Sequence, residues 1–206
     1  MRVGILHPGA MGISVAAAAQ QAGCELFWVS TGRSTESRQR AADHQLKDAE
    51  TIKALCNTCE LIISVCPPHA AVDVAQQVTQ HQYSGLYLDA NAISPAKTKQ
   101  IGQIITGGGG RFVDGGIVGG PAWQSGTTWL YLSGDDTETV ANCFTGSPLG
   151  VEILEGGIGQ ASALKMCFAA YTKGTTALLA AILATASAEG VQDALATQWD
   201  RYWDNF

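Results

Sequence analysis

The chain has 206 residues, of which 46% are hydrophobic and 15% charged, and its net charge is −6. This length allows one sizeable core and the beginning of a second, so we expect one domain with an appendage. The sequence contains no basic block, which argues against nucleic acid as a partner, because nucleic-acid binding depends on clustered Lys and Arg.

The N-terminal residues predict a strand that leads directly into a phosphate-binding turn and then into an alanine-rich helix. The turn consists of His7, Pro8, Gly9, Ala10, Met11 and Gly12. Strand, glycine turn and helix in this order bring backbone N–H groups and a helix N-terminus against a pyrophosphate. His7 and Pro8 stand where a first glycine and its neighbour are usual, so we expect the fixed φ of Pro8 to stiffen the turn.

Hydrophobic runs and breaking residues predict alternating strands and helices. Strands are expected near 2–6, 25–29, 60–65, 86–89, 111–113, 128–133 and 151–154, and helices near 12–22, 34–42, 48–56, 69–80 and 95–105. This order predicts the α/β class, a Rossmann-like doubly wound parallel sheet that binds ligands at the carboxyl ends of its strands. A long helical stretch, 160–189, then begins an all-helical C-terminal region, so the predicted domains are 1–156 and 157–206.

The end of the second strand predicts which nicotinamide cofactor is bound. An acidic residue there accepts hydrogen bonds from the free ribose of NAD, but this chain has hydroxyls and a guanidinium at Ser30, Thr31, Arg33 and Ser34. Such groups suit a 2′-phosphate, so we expect NADP(H) to be preferred over NAD(H). The alternative is an ordinary solvated polar loop.

Two further patterns concern location and metals. The N-terminus has no signal-peptide core, and the apolar segment 175–188 is short and interrupted by threonine, so we expect a cytoplasmic protein without a membrane span. The six cysteines are expected to be free thiols. Cys56 and Cys59 form a C-x-x-C pair, but no second pair or histidine cluster completes a metal site, and none is predicted.

Four segments besides the turn carry a family resemblance: 65–68 (VCPP), 89–95 (DANAISP), 114–120 (DGGIVGG) and 156–165 (GGIGQASALK). With them the chain resembles the beta-hydroxyacid dehydrogenase family, which includes 3-hydroxyisobutyrate and 6-phosphogluconate dehydrogenases. It is most similar to a bacterial branch of NAD(P)-dependent oxidoreductases with the HPGAMG turn.

The resemblance implies roles for individual residues. Cofactor contacts fall on the turn and on Cys66, Pro67, Pro68 and Asn91. Substrate contacts fall on Val118, Gly119, Gly120 and Ala169, and Lys165 corresponds to the catalytic lysine. The implied reaction is hydride transfer between NADP(H) and a small hydroxyacid or carbonyl substrate.

The residues next to Lys165 in the sequence also favour a catalytic role for it. A lone lysine in a helix usually belongs to a solvated face, but residues 163, 164 and 166–168 are mostly apolar. A partly desolvated ammonium loses its proton more readily than one in water. Such a group suits a general acid or base, which takes the hydroxyl proton in oxidation and returns it in reduction.

Two departures from the family pattern leave the substrate and the function open. Val118 stands where a substrate-binding serine is usual, and Ala169 where an asparagine is usual. Lys173, about two turns beyond Lys165, either adds a polar contact or is simply exposed. The alternatives are a cofactor-binding protein without turnover, a sensor or truncated relic, and an imine reductase-like enzyme, although imine reductases usually lack the lysine.

The C-terminal residues predict assembly into a homodimer. Trp199, Tyr202, Trp203 and Phe206 form one helical stripe, which either folds back on the chain or packs against a second subunit. The resemblance implies a shortened helical region here, and members of the family interlock through their helical domains. We therefore expect two copies to pair through the C-terminal helices.

Overall fold

The computed structural model describes residues 1–203, apart from the side chain of Trp203. The chain divides into two compact units, Met1–Met166 and a second that begins at Cys167. The strands of the first unit are β1 (Arg2–Ile5), β2 (Glu25–Trp28), β3 (Lys47–Asp48), β4 (Leu61–Ser64), β5 (Leu86–Asp89), β6 (Arg111–Gly119), β7 (Thr128–Ser133) and β8 (Gly150–Ile153). Its helices are α1 (Ala10–Gln21), α2 (Thr35–Asp43), α3 (Ile52–Thr58), α4 (Ala71–Thr79), α5 (Pro95–Gly107) and α6 (Thr137–Asn142).

The strands form one sheet in the order β3-β2-β1-β4-β5-β6-β7-β8. All neighbouring strands are parallel except β6 and β7, which are antiparallel. The chain moves outward from β1 through β2 to β3 and then returns to β4 on the other side of β1. This reversal opens a crevice at the carboxyl ends of β1 and β4, which is where doubly wound sheets bind ligands. The doubly wound sheet predicted from the sequence is confirmed.

Both faces of the sheet are covered, so its central strands are buried throughout. On one face Ile5, Ile63 and Leu88 belong to the same cluster as the apolar residues of α1. On the other, Ile62 and Tyr87 belong to a cluster with residues of α3, α4 and α5. Successive strand residues therefore alternate between two cores.

Four details differ from the predicted elements. The short strand β3 and the helix α6 were not predicted. The helix expected at 48–56 begins only at Ile52, because the Thr51 hydroxyl accepts the Ala54 N–H and caps it there. The strand expected at 111–113 continues to Gly119 and pairs antiparallel with β7.

Glycines made the second half of β6 look like a loop. A Cβ on Gly115 would lie 2.8 Å from the Leu88 side chain, and one on Gly116 would lie 2.5 Å from the Ala161 carbonyl oxygen. These glycines are therefore strand residues over which neighbouring groups pack too closely for a side chain.

The last two helices are α7 (Gln160–Ala188), whose first turns belong to the first unit, and α8 (Gln192–Trp203). Large apolar side chains of α7 are exposed in the single chain: Phe168, Tyr171, Leu178, Leu179 and Leu183. Trp199 of the predicted aromatic stripe is half-buried and Tyr202 is exposed, whereas Phe206 and the Trp203 side chain lie outside the described part.

The length of α7 corrects the argument against a membrane span. The helix has 29 residues and a mean hydropathy of 1.4 over its most apolar 18-residue window, so by length and composition it could cross a bilayer. The segment 175–188 is thus only half of a longer helix. One such helix is weak evidence for a span, because core helices of soluble proteins have the same composition. The cytoplasmic location stays a prediction.

Candidate functional site

The turn between β1 and α1 is fixed by its own backbone. The Gly9 N–H donates to the His7 carbonyl oxygen at 2.9 Å, and Gly9 caps α1 without a side-chain hydrogen bond. The first N–H groups of α1 have no partner within the helix and point toward the crevice. A Cβ on Gly12 would lie 2.1 Å from the His7 carbonyl oxygen, whereas one on Gly9 would meet nothing within 4 Å. Gly12 thus permits close packing, and Gly9 leaves space for a ligand.

A cavity of about 480 Å³ lies over this turn, and we call it the glycine-turn cleft. Its lining residues are His7, Gly9, Ala10, Met11, Gly12, Gly32, Arg33, Ser34, Ser37, Val65, Cys66 and Pro67. The structure thus brings together most of the predicted cofactor residues from three strand ends. Thr31 lines a neighbouring cavity of about 530 Å³, which shares Gly32 and Arg33 with the cleft.

Two predicted residues, Pro8 and Ser30, are buried beside the cleft, and their carbonyl groups hold arginines. The Arg40 Nε donates to the Pro8 oxygen at 2.9 Å, and the Arg38 Nη2 donates to the Ser30 oxygen at 2.8 Å. Sequence reasoning missed both arginines and also Ser37, which lines the cleft. Their position in the helix directly after the predicted phosphate loop was the available signal.

The charges around the cleft favour the binding of an anion. Burial lowers the pKa of His7 to about 4, with the positive charge of Arg33 as the second cause. Burial also lowers the pKa of Arg33, which remains charged at neutral pH. Both His7 Nδ1 and Arg33 Nε are buried without a hydrogen-bond partner. No carboxylate is among the residues that line the cleft, so a phosphate group would meet only cationic or neutral groups there.

A second cavity of about 190 Å³, the lysine pocket, continues from the cleft. Its lining residues are Met11, Val65, Cys66, Pro68, Ala90, Asn91, Ala92, Ile117 and Lys165. Met11, Val65 and Cys66 line both cavities, so a ligand in the cleft can extend toward Lys165. The residue of β6 in this lining is Ile117, whereas the predicted Val118 points to the opposite face of the strand.

Asn91 ties together the two loops that border the lysine pocket. Its Oδ1 accepts the Cys66 N–H at 2.6 Å, while its Nδ2 donates to Ser64 Oγ and Asp89 Oδ2, each at 3.0 Å. Both amide hydrogens are therefore in use within the protein. Burial raises the pKa of Asp89 to about 6, against the opposing hydrogen bonds from Asn91. In this structure Asn91 positions the loops, and its predicted cofactor contact stays a prediction.

Asp114 fixes the start of α7 and with it the position of Lys165. Its carboxylate is fully buried and accepts the N–H groups of Gly159 and Ser162 at 2.9 and 3.1 Å. It also accepts the hydroxyls of Ser162 and Ser133 at 2.6 and 2.9 Å. A carboxylate at a helix N-terminus satisfies unpaired N–H groups and the helix dipole together. Lys165 lies one turn further on, half-buried.

The remaining predicted residues lie away from these cavities or in the second unit. Gly119 ends β6 with a φ of +117°, and Gly120 follows it, both exposed. Ala169 is half-buried and Lys173 is exposed in the second unit, and their substrate contacts stay predictions. Among residues 1–203, no group of three or more His, Cys, Asp or Glu side chains could hold a metal ion.

The fold and the two adjoining cavities define a dinucleotide-binding protein of the doubly wound class. Residues 2–144 match the model of the NAD binding domain of 6-phosphogluconate dehydrogenase. The chain belongs to that family.

Three proteins illustrate what this chain is similar to. A 28.5 kDa protein of Methanothermus fervidus is 26% identical over 164 residues, 80% of this chain but only 62% of that protein. A conserved protein described as structurally similar to 3-hydroxyacid dehydrogenases is 28% identical, with a TM-score of 0.81 over 100% of this chain and 77% of that one. An imine reductase from Myxococcus stipitatus in complex with NADP+ is 20% identical, with a TM-score of 0.78 over 100% and 72%.

We expect the Asp114 contacts to contribute strongly to stability. Asp114→Asn should lower the free energy of unfolding by about 3 kcal/mol, because hydrogen bonds to a buried charge contribute roughly 1.5–3 kcal/mol each. For comparison, Thr98→Val removes a neutral hydroxyl that contacts Ser162 Oγ at 2.7 Å and the Ser94 carbonyl oxygen at 3.3 Å, and it should cost about 1 kcal/mol. Urea unfolding of the three proteins measures both effects. If the Asp114→Asn protein is as stable as the wild type, the hydrogen bonds of Asp114 do not contribute to stability as we expect.

Proposed function

We propose that this protein is an NADP(H)-dependent oxidoreductase that transfers a hydride between nicotinamide and a small hydroxyacid or carbonyl substrate. The observation that carries the proposal is the position of Lys165 in a pocket continuous with the glycine-turn cleft. A dinucleotide that extends across both cavities would bring its reactive end to Lys165, the one basic side chain among the residues that line the lysine pocket.

The cleft residues fit the phosphate groups of such a cofactor. The N–H groups at the start of α1 would bind the pyrophosphate. Arg33 and the Ser37 hydroxyl would bind a ribose 2′-phosphate, with the N-terminus of α2 beside them. Imine reductases of this fold are described with NADP+ and, as a variant, with NAD+, so the preference for NADP(H) rests on these side chains.

The chemistry divides between the cofactor and the lysine. Bound nicotinamide would supply or accept the hydride. The Lys165 amine would accept the hydroxyl proton in oxidation and donate it to the carbonyl oxygen in reduction. The buried Ala90 and Ile117 give the pocket an apolar wall that limits water near this proton.

The lining of the lysine pocket favours a small substrate of low charge. Lys165 is the one basic side chain among its lining residues, and no arginine is among them. A phosphorylated sugar acid needs several cationic partners, so a short hydroxyacid, aldehyde or ketone fits this lining better.

A cofactor-binding protein without turnover is the second candidate. It is favoured by the apolar Val118 and Ala169, which stand where the family has polar substrate contacts. A panel of hydroxyacids, aldehydes and cyclic imines, monitored at the NADPH absorbance, separates the possibilities. Turnover of imines alone would favour imine reductase chemistry, and binding without any turnover would favour a sensor.

The cofactor preference should reside in Arg33. Arg33→Ala should weaken NADPH by about 10- to 100-fold and NADH much less, because only NADPH loses a charge-assisted hydrogen bond. Fluorescence titration with both cofactors measures the change. Arg111→Ala, which removes an arginine paired with Asp136 at the amino end of β6, is the matched control. Equal losses for the two cofactors, or a wild type that prefers NADH, would refute the assignment.

Lys165 should affect turnover and not cofactor binding. Lys165→Ala should reduce kcat by about 10²- to 10⁴-fold with NADPH affinity nearly unchanged. Lys165→Arg should not restore the rate, because a guanidinium remains protonated. Lys47→Ala, which removes a lysine paired with Glu25 at the sheet edge, is the control. If Lys165→Ala turns over any substrate at the wild-type rate, the lysine is a structural residue and not a catalytic one.

We also propose that two copies pair through their C-terminal helices. The exposed Tyr171, Leu178, Leu179 and Leu183 give α7 an apolar side, and large apolar patches on a soluble protein mark interaction sites. The half-buried Trp199 and the exposed Tyr202 of α8 add aromatic area.

Charge placed on that side of α7 should disrupt the dimer. Leu178→Asp should shift the protein to a monomer at micromolar concentration, because burial of one leucine contributes about 1.5–3 kcal/mol and a buried carboxylate costs more. Ala177→Asp places the same charge on the opposite side of the helix and is the control. Sedimentation velocity reports the mass. A wild-type monomer, or a protein recovered only with membranes, would contradict the proposal.

A further inference from the structure

His7 replaces a glycine of the usual turn, and its side chain has no evident structural function. Its carbonyl oxygen accepts the Gly9 N–H and packs against Gly12, so the backbone is held independently of the imidazole. The side chain lines the glycine-turn cleft with Arg33. A glycine at this position would leave the same backbone contacts, so the imidazole needs another explanation.

One buried nitrogen of His7 and one of Arg33 have no hydrogen-bond partner within the protein. Among the described residues, three buried side-chain nitrogen or oxygen atoms have no hydrogen-bond partner: His7 Nδ1, Arg33 Nε and Tyr87 Oη. Two of the three belong to residues that line one cavity. Buried polar atoms are rarely unpaired in folded proteins, and a cluster of them indicates a ligand with complementary groups.

The charges around His7 are all positive or neutral. Arg33 approaches from the loop after β2, Cys66 from the loop after β4, and Arg40 of α2 is held by the adjacent Pro8 carbonyl. Burial raises the pKa of the Cys66 thiol to about 11, so it carries no charge at neutral pH. Burial and, second, the charge of Arg33 lower the pKa of His7 to about 4, so the imidazole without ligand is neutral at neutral pH. No carboxylate lines the cleft to oppose this effect.

We propose that His7 and Arg33 together bind one phosphate group of the dinucleotide, and that His7 takes up a proton from solvent as it does so. This inference rests on the proposed function. A phosphate close to both side chains offsets the repulsion by Arg33 and favours the imidazolium. The imidazolium then donates a charge-assisted hydrogen bond to the phosphate oxygen. The bound phosphate is either the 2′-phosphate of NADP or the pyrophosphate shared with NAD.

Proton uptake makes the affinity depend on pH with a defined sign. Between the pKa of free His7, about 4, and its higher value in the complex, the complex holds one proton more than the free protein. Affinity therefore rises as pH falls through this window, by up to about tenfold per pH unit, and is flat above it. The phosphate of the free ligand also titrates near pH 6, and this titration is the same whichever protein is added.

Isothermal titration calorimetry at pH 6, in two buffers of different ionisation enthalpy, counts the protons taken up. With NADP+ the wild type should take up clearly more protons than His7→Gln, which should bind about 10- to 100-fold more weakly at pH 6 and differ less at pH 8. His69→Gln is the control. Uptake that persists with NAD+ assigns the contact to the pyrophosphate, and uptake lost with NAD+ assigns it to the 2′-phosphate.

Equal proton uptake by wild type and His7→Gln, with both binding NADP+, would overturn the role of His7 and leave the proposed function intact. A wild type that binds neither dinucleotide would overturn both. If His7→Gln does not fold, the inference is tested instead by an NMR titration of the His7 imidazole in the wild-type protein. It should titrate at higher pH with NADP+ bound than without, and an unchanged midpoint would refute the inference.

Discussion

The buried carboxylate of Asp114 is the contact on which the site depends. It lies in the last parallel strand before the sheet changes direction, and it accepts four hydrogen bonds, three of them from the entry to α7. A buried carboxylate is stable only when such bonds replace its hydration. The helix start is thereby fixed to the sheet, and Lys165 follows one turn later at the edge of the lysine pocket. Gly116 allows the close approach, since a Cβ there would meet the Ala161 carbonyl.

A second polar centre fixes the opposite wall of the pocket. Asn91 connects the loops after β4 and β5 through Cys66, Ser64 and Asp89. The Asn91 amide and the Asp114 carboxylate thus hold the groups around the pocket in place, which is the pre-organisation that the proposed hydride and proton transfer would require. The cleft differs, because Arg33 and His7 retain unpaired atoms. Satisfied polar groups position the pocket, and unsatisfied ones in the cleft are available to a ligand.

Sequence patterns predicted the architecture well because alternating strands and helices leave few topologies. They predicted the glycine turn because its geometry is local. They failed at β6, where Gly115 and Gly116 were interpreted as loop residues. These two residues are small because Leu88 and Ala161, which are distant in the sequence, pack closely over them. They also missed Arg38, Arg40 and Ser37, whose position depends on how α2 returns over the turn. The polar centres at Asp114 and Asn91 join residues up to 48 positions apart, a separation at which single-sequence patterns carry no signal.

We propose above all that the cleft and the lysine pocket form one site, with the reactive end of the dinucleotide beside Lys165. Protein labelled with ¹³C at the lysine ε-carbons, with the Lys165 signal assigned by Lys165→Arg, tests this by NMR during titration with NADP+. We expect saturation to shift the Lys165 resonance and to leave that of Lys47, at the sheet edge, unchanged. Saturable binding of NADP+ with an unchanged Lys165 resonance would contradict it.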